Sequence, residues 1–557
     1  MNFVSKYLFC ALFDIGLTSL ARAQVIPPSE QPGREQFRFQ QPPVPRAQPG
    51  AVMIQLPSTG APEGAAAISL FLEDVIVEGS TVYTQQQLSP LYADVVGHVV
   101  PLQTVYDIAR KITAKYGEDG YVLSRAIVPP QALSPKGAVI HLRVIEGYVD
   151  KVEWPAETQR YRDFFSEYAA KITSDRPANI HTIERYILLA GDLPGLKFST
   201  SLRASAISPN ASTLVVAVEE KAFDASARID NRGTKARGPL EFLTSATLNN
   251  RLGLHEAFTL SCAGVFPTRH LQYVSGSYRQ VLTSEGLTAF ADATYSWGRP
   301  GTSALKLLEY ETQGTTVDAG LSYPVIRQRE RNLTLSGLAF LNNSQSNILA
   351  APFNRDRLRG IRLKADGDLA DSLGGINQLN LTFSQGFQGF GSTRNGSPLA
   401  SRAAGRVDFS KIESYFSRSQ PLIANFSFQV AAYGQYAGTP LLSAEQCGFG
   451  GGTFGRAFDP SQLVGDHCWE VSGELRHDLP FVASFLSRAQ LYTFSDFGKL
   501  YTLKAAVGTP SRVTAASVGA GARFGILNTL DADVSVAKGV EGPRKDWRGF
   551  FAITAHY

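Results

Sequence analysis

From Asp224 to the C-terminus the chain keeps a two-residue rhythm, and this constrains its fold more than any other feature. In Leu287 to Trp297, residues Leu287, Ala289, Ala291, Ala293, Tyr295 and Trp297 are apolar. Thr288, Asp292, Thr294 and Ser296 fall between them, with Phe290 the one exception. Alternation of this kind makes a strand with one apolar face. Past the first twenty or so positions no apolar run reaches the length of a membrane-spanning helix, which excludes a helical membrane bundle. Charged residues are 18% and hydrophobic residues 44%, with 50 Gly. A chain poor in charge and rich in Gly and alternating strands suits a closed barrel whose apolar face meets lipid and whose polar face lines a lumen. A soluble β-sandwich shows the same periodicity. At about 10 residues per tilted strand plus connections, Asp224 to Tyr557 accommodates roughly 16 strands. The net charge of +4 is too small in 557 residues to suggest nucleic-acid binding.

Lys6, the largely apolar stretch Tyr7 to Leu20, and Ala21-Arg22-Ala23 read as an export signal over residues 1–23. Cys10 leaves with it, so Cys262, Cys447 and Cys468 remain, too few for a disulfide scaffold. Nine of the thirty prolines fall between Gln24 and Ala66. Residues 24–67 therefore read as an extended linker, in which a helix is short and near Arg34 to Gln41, or absent.

Between the linker and the barrel, strand and helix patterns alternate twice, in the order β-α-α-β-β. The first unit, 68–147, has strands at Leu70 to Val77, Tyr121 to Val128 and Ala138 to Ile145. Its helices are Thr84 to Ala93 and Thr104 to Tyr116, the second with Val105, Ile108, Ala109 and Ile112 on one face. In the second unit, 148–222, Trp154 lies in the opening strand. Helices follow at Phe164 to Ile172 and His181 to Leu189, then strands at Leu196 to Ala206 and Thr213 to Val218.

Ile127-Val128-Pro129-Pro130-Gln131 with Val144-Ile145-Glu146-Gly147-Tyr148-Val149 resembles the first polypeptide-transport-associated (POTRA) domain of two-partner secretion transporters. Tyr186 to Gly195, which reads Tyr-Ile-Leu-Leu-Ala-Gly-Asp-Leu-Pro-Gly, is similar to the second. In the barrel part, Ile229 to Gly233, Ser322 to Arg327 and Asp356 to Arg359 with Gly374-Gly375 and Gln385-Gly386 are likewise family-like. Gly434-Gln435-Tyr436, the run Gly450 to Phe458, and Leu463-Val464-Gly465-Asp466 resemble the signature loop of the superfamily that also holds barrel-assembly proteins. Gly455-Arg456-Ala457-Phe458 stands where that loop usually reads Val-Arg-Gly-Phe or Val-Arg-Gly-Tyr, so Ala457 replaces Gly. Phe494-Ser495-Asp496, followed by Gly498, matches the family's Phe-x-Asp barrel strand.

The resemblance implies an all-β transmembrane barrel of about 16 antiparallel strands, residues 223–557, preceded by two small α/β POTRA domains. It implies an outer-membrane transporter, with its POTRA domains in the periplasm, that exports a large client protein and needs no cofactor. Its other implied partners are outer-membrane lipid and, during biogenesis, the barrel-assembly machinery. A barrel-assembly insertase and a passive porin are the alternatives. The family pattern also pairs Arg456, on a loop folded into the lumen, with Asp496 on the wall.

Cys447 and Cys468 bracket the Arg456 motif. They pair if the flanks of the loop return close together, and otherwise stay two partly buried thiols. Cys447, His467, Cys468 and His477 match no standard zinc spacing. The glycines at 450, 452 and 455 have no βαβ unit around them, and no Gly-x-Ser-x-Gly elbow occurs, so nothing points to a metal, a nucleotide or an enzyme. Phe551, Ile553, Ala555 and Tyr557 alternate to the end of the chain, as in a closing barrel strand.

Overall fold

The computed structural model describes residues 26–39, 42–49, 60–132, 134, 137–155, 161–480, 483–527 and 529–557. The export-signal residues 1–23, Cys10 among them, lie outside the described residues.

The C-terminal part closes into a barrel of 16 strands, each paired with its sequence neighbours in antiparallel register. The last strand, Trp547–His556, pairs with the first, Phe223–Asp230, through Ala552↔Asp230 to His556↔Ser226. Closure lets the strands of the wall pair their backbone groups without water, which a sheet with free edges cannot do in hydrocarbon. Side chains alternate across the wall as the sequence periodicity predicts. Ile229, Leu260, Leu335, Leu363 and Leu379 are exposed outside, while Asn342, Asp356, Glu474 and Asp496 are buried inside. Phe290, the exception to the pattern, points inward and packs beside Leu338 and Phe340. Connections at the end where the chain enters are short, such as 328–330 and 422–425, whereas those at the far end include 387–409 and 438–466. The entry end is the periplasmic one, because the POTRA sheets sit there.

The first POTRA sheet has strand order Val99–Pro101, Ser69–Glu78, Ala138–Ile145, Arg125–Ile127. The helix Leu102–Glu118 lies on it and buries Val105, Ile108, Ala109, Ile112 and Tyr116, each large apolar side chain worth about 1.5–3 kcal/mol. The second sheet runs Tyr148–Glu153, Ala211–Glu220, Leu196–Ala204, with the helices Arg162–Ser174 and Ile180–Gly191 against it. Three local readings need correction. The strand expected at Tyr121 to Val128 is only Arg125–Ile127, because Tyr121 to Ser124 turn tightly, with the Ser124 N–H donating to the Tyr121 carbonyl at 2.9 Å. Trp154 stands just past its strand and stacks on Phe165 at 4.3 Å. Val99–Pro101 is an edge strand too short to announce itself by periodicity.

Residues 26–39 and 42–49 lie in the barrel lumen, the first stretch toward the outer end and the second toward the periplasmic end. Near the outer mouth Glu30, fully buried, pairs with Arg237 at 2.7 Å and accepts from Thr234 Oγ1 at 2.8 Å. A short helix, Glu35–Phe39, follows. Lower down, the Ala47 N–H donates to Asp368 at 2.6 Å and the Gln48 N–H to the Arg329 carbonyl at 2.8 Å.

Candidate functional site: a charged loop in the barrel lumen

The connection 438–466 belongs to the outer end but folds inward. Its stem is a two-stranded ribbon, Cys447–Phe449 paired with Leu463–Gly465. Cys447 and Cys468 are joined by a disulfide, with Cα atoms 6.5 Å apart, so the stem is fastened to the barrel strand His467–Asp478. The bonded sulfurs are not free to bind a metal with His467 and His477, which stand at opposite ends of that strand. Gly455 has φ +68°, and a Cβ there or at Gly498 would fall 2.5 or 2.4 Å from the Phe449 ring. Glycine at these two positions lets the loop turn and the ring lie flat against the wall.

That turn delivers Arg456 to the wall. Its Nη2 donates to Asp496 Oδ1 at 2.8 Å and its backbone N–H to Asp496 Oδ2 at 2.9 Å. Nη1 meets Glu474 and Nη2 also donates to Ser472 Oγ at 2.9 Å. The guanidinium carbon lies 3.5 Å over the Phe494 ring. Strand geometry explains the Phe-x-Asp spacing, because residues two apart share a face. One supplies a ring beneath the guanidinium and the other a carboxylate beside it. Ser472 and Ser517, the cross-strand neighbours of Asp496, each donate to it at 2.9 Å. Arg456 is 6% exposed and Asp496 1%. Buried charges at this density persist only when paired and hydrogen-bonded on all sides.

The other motif residues hold the loop around this centre. Ala457 is fully buried with its backbone outside the left-handed region, so a Cβ is accommodated where the family pattern has Gly. Its carbonyl accepts from Arg548 at 3.1 Å. Phe458 packs with Phe449, Phe494 and Phe550. Asp466, with no exposed surface, pairs with Arg402 at 2.6 Å and accepts the Leu441 and Leu503 N–H groups at 2.9 and 2.7 Å. It thereby ties three outer connections together at the end of the Gly465 turn. The centre thus contains Arg456, Asp496, Phe494, Gly498, Gly455 and Phe458, with Asp466 and the disulfide at its upper margin.

Several participants escaped the sequence reading. Glu474 also pairs with Arg523 at 2.7 Å and Arg476 at 2.6 Å. Glu445 pairs with Arg362 and Lys411, both at 2.8 Å. Arg34 of the lumen segment donates to the Ser443 and Gln446 carbonyls at 2.7 and 2.9 Å, so segment and loop touch. Beside them lies a lumen cavity of about 500 Å³, lined by Arg34, Arg362, Lys411, Glu445 and Glu470 among others. A charge at an inward position of a lipid-facing strand is the available signal, and Glu474, Arg523 and Arg362 all carry it.

The POTRA signatures explain themselves as joints. Glu146 accepts the Thr81 and Val82 N–H groups at 2.7 and 3.1 Å and the Tyr116 hydroxyl at 2.8 Å. Burial opposes its ionisation, but these donors outweigh it and hold the carboxyl below its usual range. Gly147 accepts the Ala178 N–H at 2.9 Å and so connects the two modules. In the second signature, Asp192 takes Arg327 of the barrel in a two-pronged pair at 2.7 and 2.9 Å. Arg46 of the lumen segment reaches the same carboxylate at 3.5 Å. Tyr186 donates to Glu285 in a periplasmic turn at 2.9 Å. Burial, then that carboxylate, pushes the phenol up to about 12.

Comparison with known proteins agrees with this architecture. Residues 70–147 match the ShlB-type POTRA domain, and residues 210–524 match the haemolysin secretion/activation protein ShlB/FhaC/HecB. The chain is 22% identical over 463 residues to the heme/hemopexin transporter protein HuxB of Haemophilus influenzae, covering 81% of this chain and 80% of HuxB. It is also 22% identical to the outer membrane transporter CdiB of Escherichia coli over 459 residues, 78% of this chain and 74% of CdiB. The solved structure of CdiB from Escherichia coli superposes with a TM-score of 0.69 at 19% identity, covering 92% of this chain and 94% of that one, which shows the shared fold. The chain belongs to the haemolysin secretion/activation protein family, and is a two-partner secretion transporter of the outer membrane that exports a partner protein and carries its POTRA domains on the periplasmic side.

Proposed function

We propose that the partner enters as an extended chain along the Leu196–Ala204 edge, and crosses the lumen once residues 26–49 have withdrawn. Main-chain hydrogen bonds at a sheet edge bind an unfolded strand with little demand on its sequence. Of the POTRA sheet edges, Val99–Pro101 is three residues long and ends in Pro, and Arg125–Ile127 is equally short. Leu196–Ala204 is nine residues long, pairs on one side only and is largely exposed. It is the longest free template.

The observation that carries the reading is the series of charged contacts spacing the lumen segment down the barrel: Glu30–Arg237, Arg38–Glu241 at 3.1 Å, Arg34 with the loop, and Arg46–Asp192. Polar anchors of this kind can be exchanged for water one at a time, whereas an apolar plug would resist leaving a wet pore. The paired Arg456 loop braces the wall while the segment moves. Folding of the partner outside supplies direction without nucleotide.

Conductance across planar bilayers tests this. Deleting residues 26–49 should raise single-channel conductance several-fold, and an unchanged conductance would show that the segment does not fill the pore.

A further inference from the structure

On the strand Ala351–Ala370 the buried Asn354, Asp356 and Leu358 mark the even-numbered positions as inward. The odd-numbered positions face outward. Leu369, Gly367, Ala365, Leu363 and Ile361 give that outer face an apolar stretch of the height expected for the hydrocarbon band. Directly above it, toward the outer end, come Arg359, Arg357 and Arg355.

The register carries the same change sideways. Leu341 and Val317 stand level with Arg359, Asn343 and Thr315 with Arg357, and Gln345 and Gln313 with Arg355. Tyr295 and Trp297, on the next strand, complete the upper two rows and stack at 5.2 Å. An aromatic pair at this height belongs to the headgroup girdle of a membrane barrel. A shallow outer depression of about 190 Å³ is lined by Tyr295, Gln313, Asn343, Gln345, Arg355 and Arg357 among others.

Three like charges in alternate positions, about 7 Å apart along one face, repel one another unless an anion lies between them. Among the described residues none of the three forms an ion pair, and the rim carboxylate Glu311 is already held by Arg299. Arginine forks flanked by amide donors and an aromatic surface, at headgroup height on the outer side, suit phosphate esters rather than carboxylates or a neutral lipid.

We propose that Arg355, Arg357 and Arg359, with Asn343 and Gln345, form a binding site for the phosphates of a glycolipid headgroup in the outer leaflet. The site anchors the transporter at fixed depth on the side of the barrel carrying its longest strands. It rests on the membrane placement alone and not on the proposed transport route.

The test titrates purified full-length protein in detergent with bis-phosphorylated lipid A, with the same lipid after dephosphorylation, and with inorganic phosphate, read by native mass spectrometry. The R355Q/R357Q/R359Q variant should bind the phosphorylated lipid on the order of 10- to 100-fold more weakly. The dephosphorylated lipid should bind wild type as weakly as the phosphorylated lipid binds the variant, and inorganic phosphate should not compete at the lipid's concentration. Heat-modifiable migration on gels reports an intact barrel; if the triple variant lacks it, the single variant Arg357→Gln, with a loss of about fivefold, replaces it. Unchanged affinity in an intact variant, or equal binding of the dephosphorylated lipid, overturns the proposal. Saturation by inorganic phosphate at the same concentration would reduce the site to a general anion patch and overturn the headgroup assignment.

Discussion

Arg456 sits where a loop, two strand carboxylates and an aromatic ring converge, and its chemistry follows from that crowding. Removing either side of the Arg456–Asp496 pair leaves a charge stranded in a nearly dry pocket, at a cost of about 3–5 kcal/mol. Glu474 softens the loss of Asp496 because it also holds the guanidinium. Loss of Arg456 is softened by Arg476 and Arg523, which still neutralise Glu474. Arg456→Ala and Asp496→Ala should therefore each reduce partner secretion strongly while the barrel stays inserted and heat-modifiable. Secretion assays on the culture medium, with membrane fractions as control, decide it, and wild-type secretion from both variants would remove the functional role. Arg456 and Asp496 were legible through the family resemblance, which rests on a loop motif and a Phe-x-Asp strand short enough to be matched in sequence. Glu474 was not, since a single inward charge acquires meaning only when the neighbouring strand is in register.

Elements set how much freedom these residues have. The disulfide fastens the stem of the inward loop, while its tip is held by Arg456, Phe458 and the Asp459–Arg548 pair at 2.8 Å. A bridge between positions 21 apart restricts the unfolded chain by about 3 kcal/mol in the entropy model. A Cys447→Ser/Cys468→Ser variant should insert normally yet show faster hydrogen exchange across 447–465. A non-reduced digest of wild type should yield the joined peptides, whereas free alkylation of both thiols in inserted protein would exclude the bridge. Cys262 lies apart, exposed on the strand Glu256–Val265. The closing strand is the other element with a single decisive role. Without Trp547–His556, the strand Leu530–Glu541 loses one partner, and Phe223–Asp230 loses the partner that completes the barrel. Open edges in hydrocarbon cost several kcal/mol per unpaired group. Truncation before Trp547 should leave the protein in the periplasmic fraction, and normal outer-membrane insertion would contradict closure at this strand.

Across the whole molecule, the second POTRA module is docked on the barrel by stacking of Phe164 on His255 at 4.2 Å, by Val281 packed on its core, and by polar contacts around Glu285. Burial disfavours its charge, but Tyr186, Arg185 and Lys171 outweigh that and hold its carboxyl below the ordinary value of 4.5. Because the docked form lowers this value, docking gains from the group above it and loses that gain as the pH falls below it. Spin labels on the POTRA module and on the 282–287 turn should report a fixed distance at neutral pH and a broadened one under acid. Glu285→Gln should abolish this acid-dependent change, and an unaltered pH profile in that variant would assign the effect elsewhere. The arrangement of these large parts also divides what sequence and tertiary structure each decide. The alternation from Asp224 onward determined strands with one apolar face by itself, because a two-residue period ties every side chain to one face of its sheet whatever its distant neighbours, while the family resemblance separated a barrel from a sandwich and the Phe223–Asp230 to Trp547–His556 pairing closed it. Likewise the helical spacing from Val105 to Ile112 determined a packed face, and the Pro-rich stretch left room for no more than a short helix. Only the tertiary structure decided that residues 26–39 and 42–49 lie in the lumen, that Asp192 joins lumen segment, POTRA module and barrel, and that Glu474 shares Arg456. Those contacts link positions tens to hundreds of residues apart, and nothing in local periodicity encodes which inward charge meets which until the barrel closes around them.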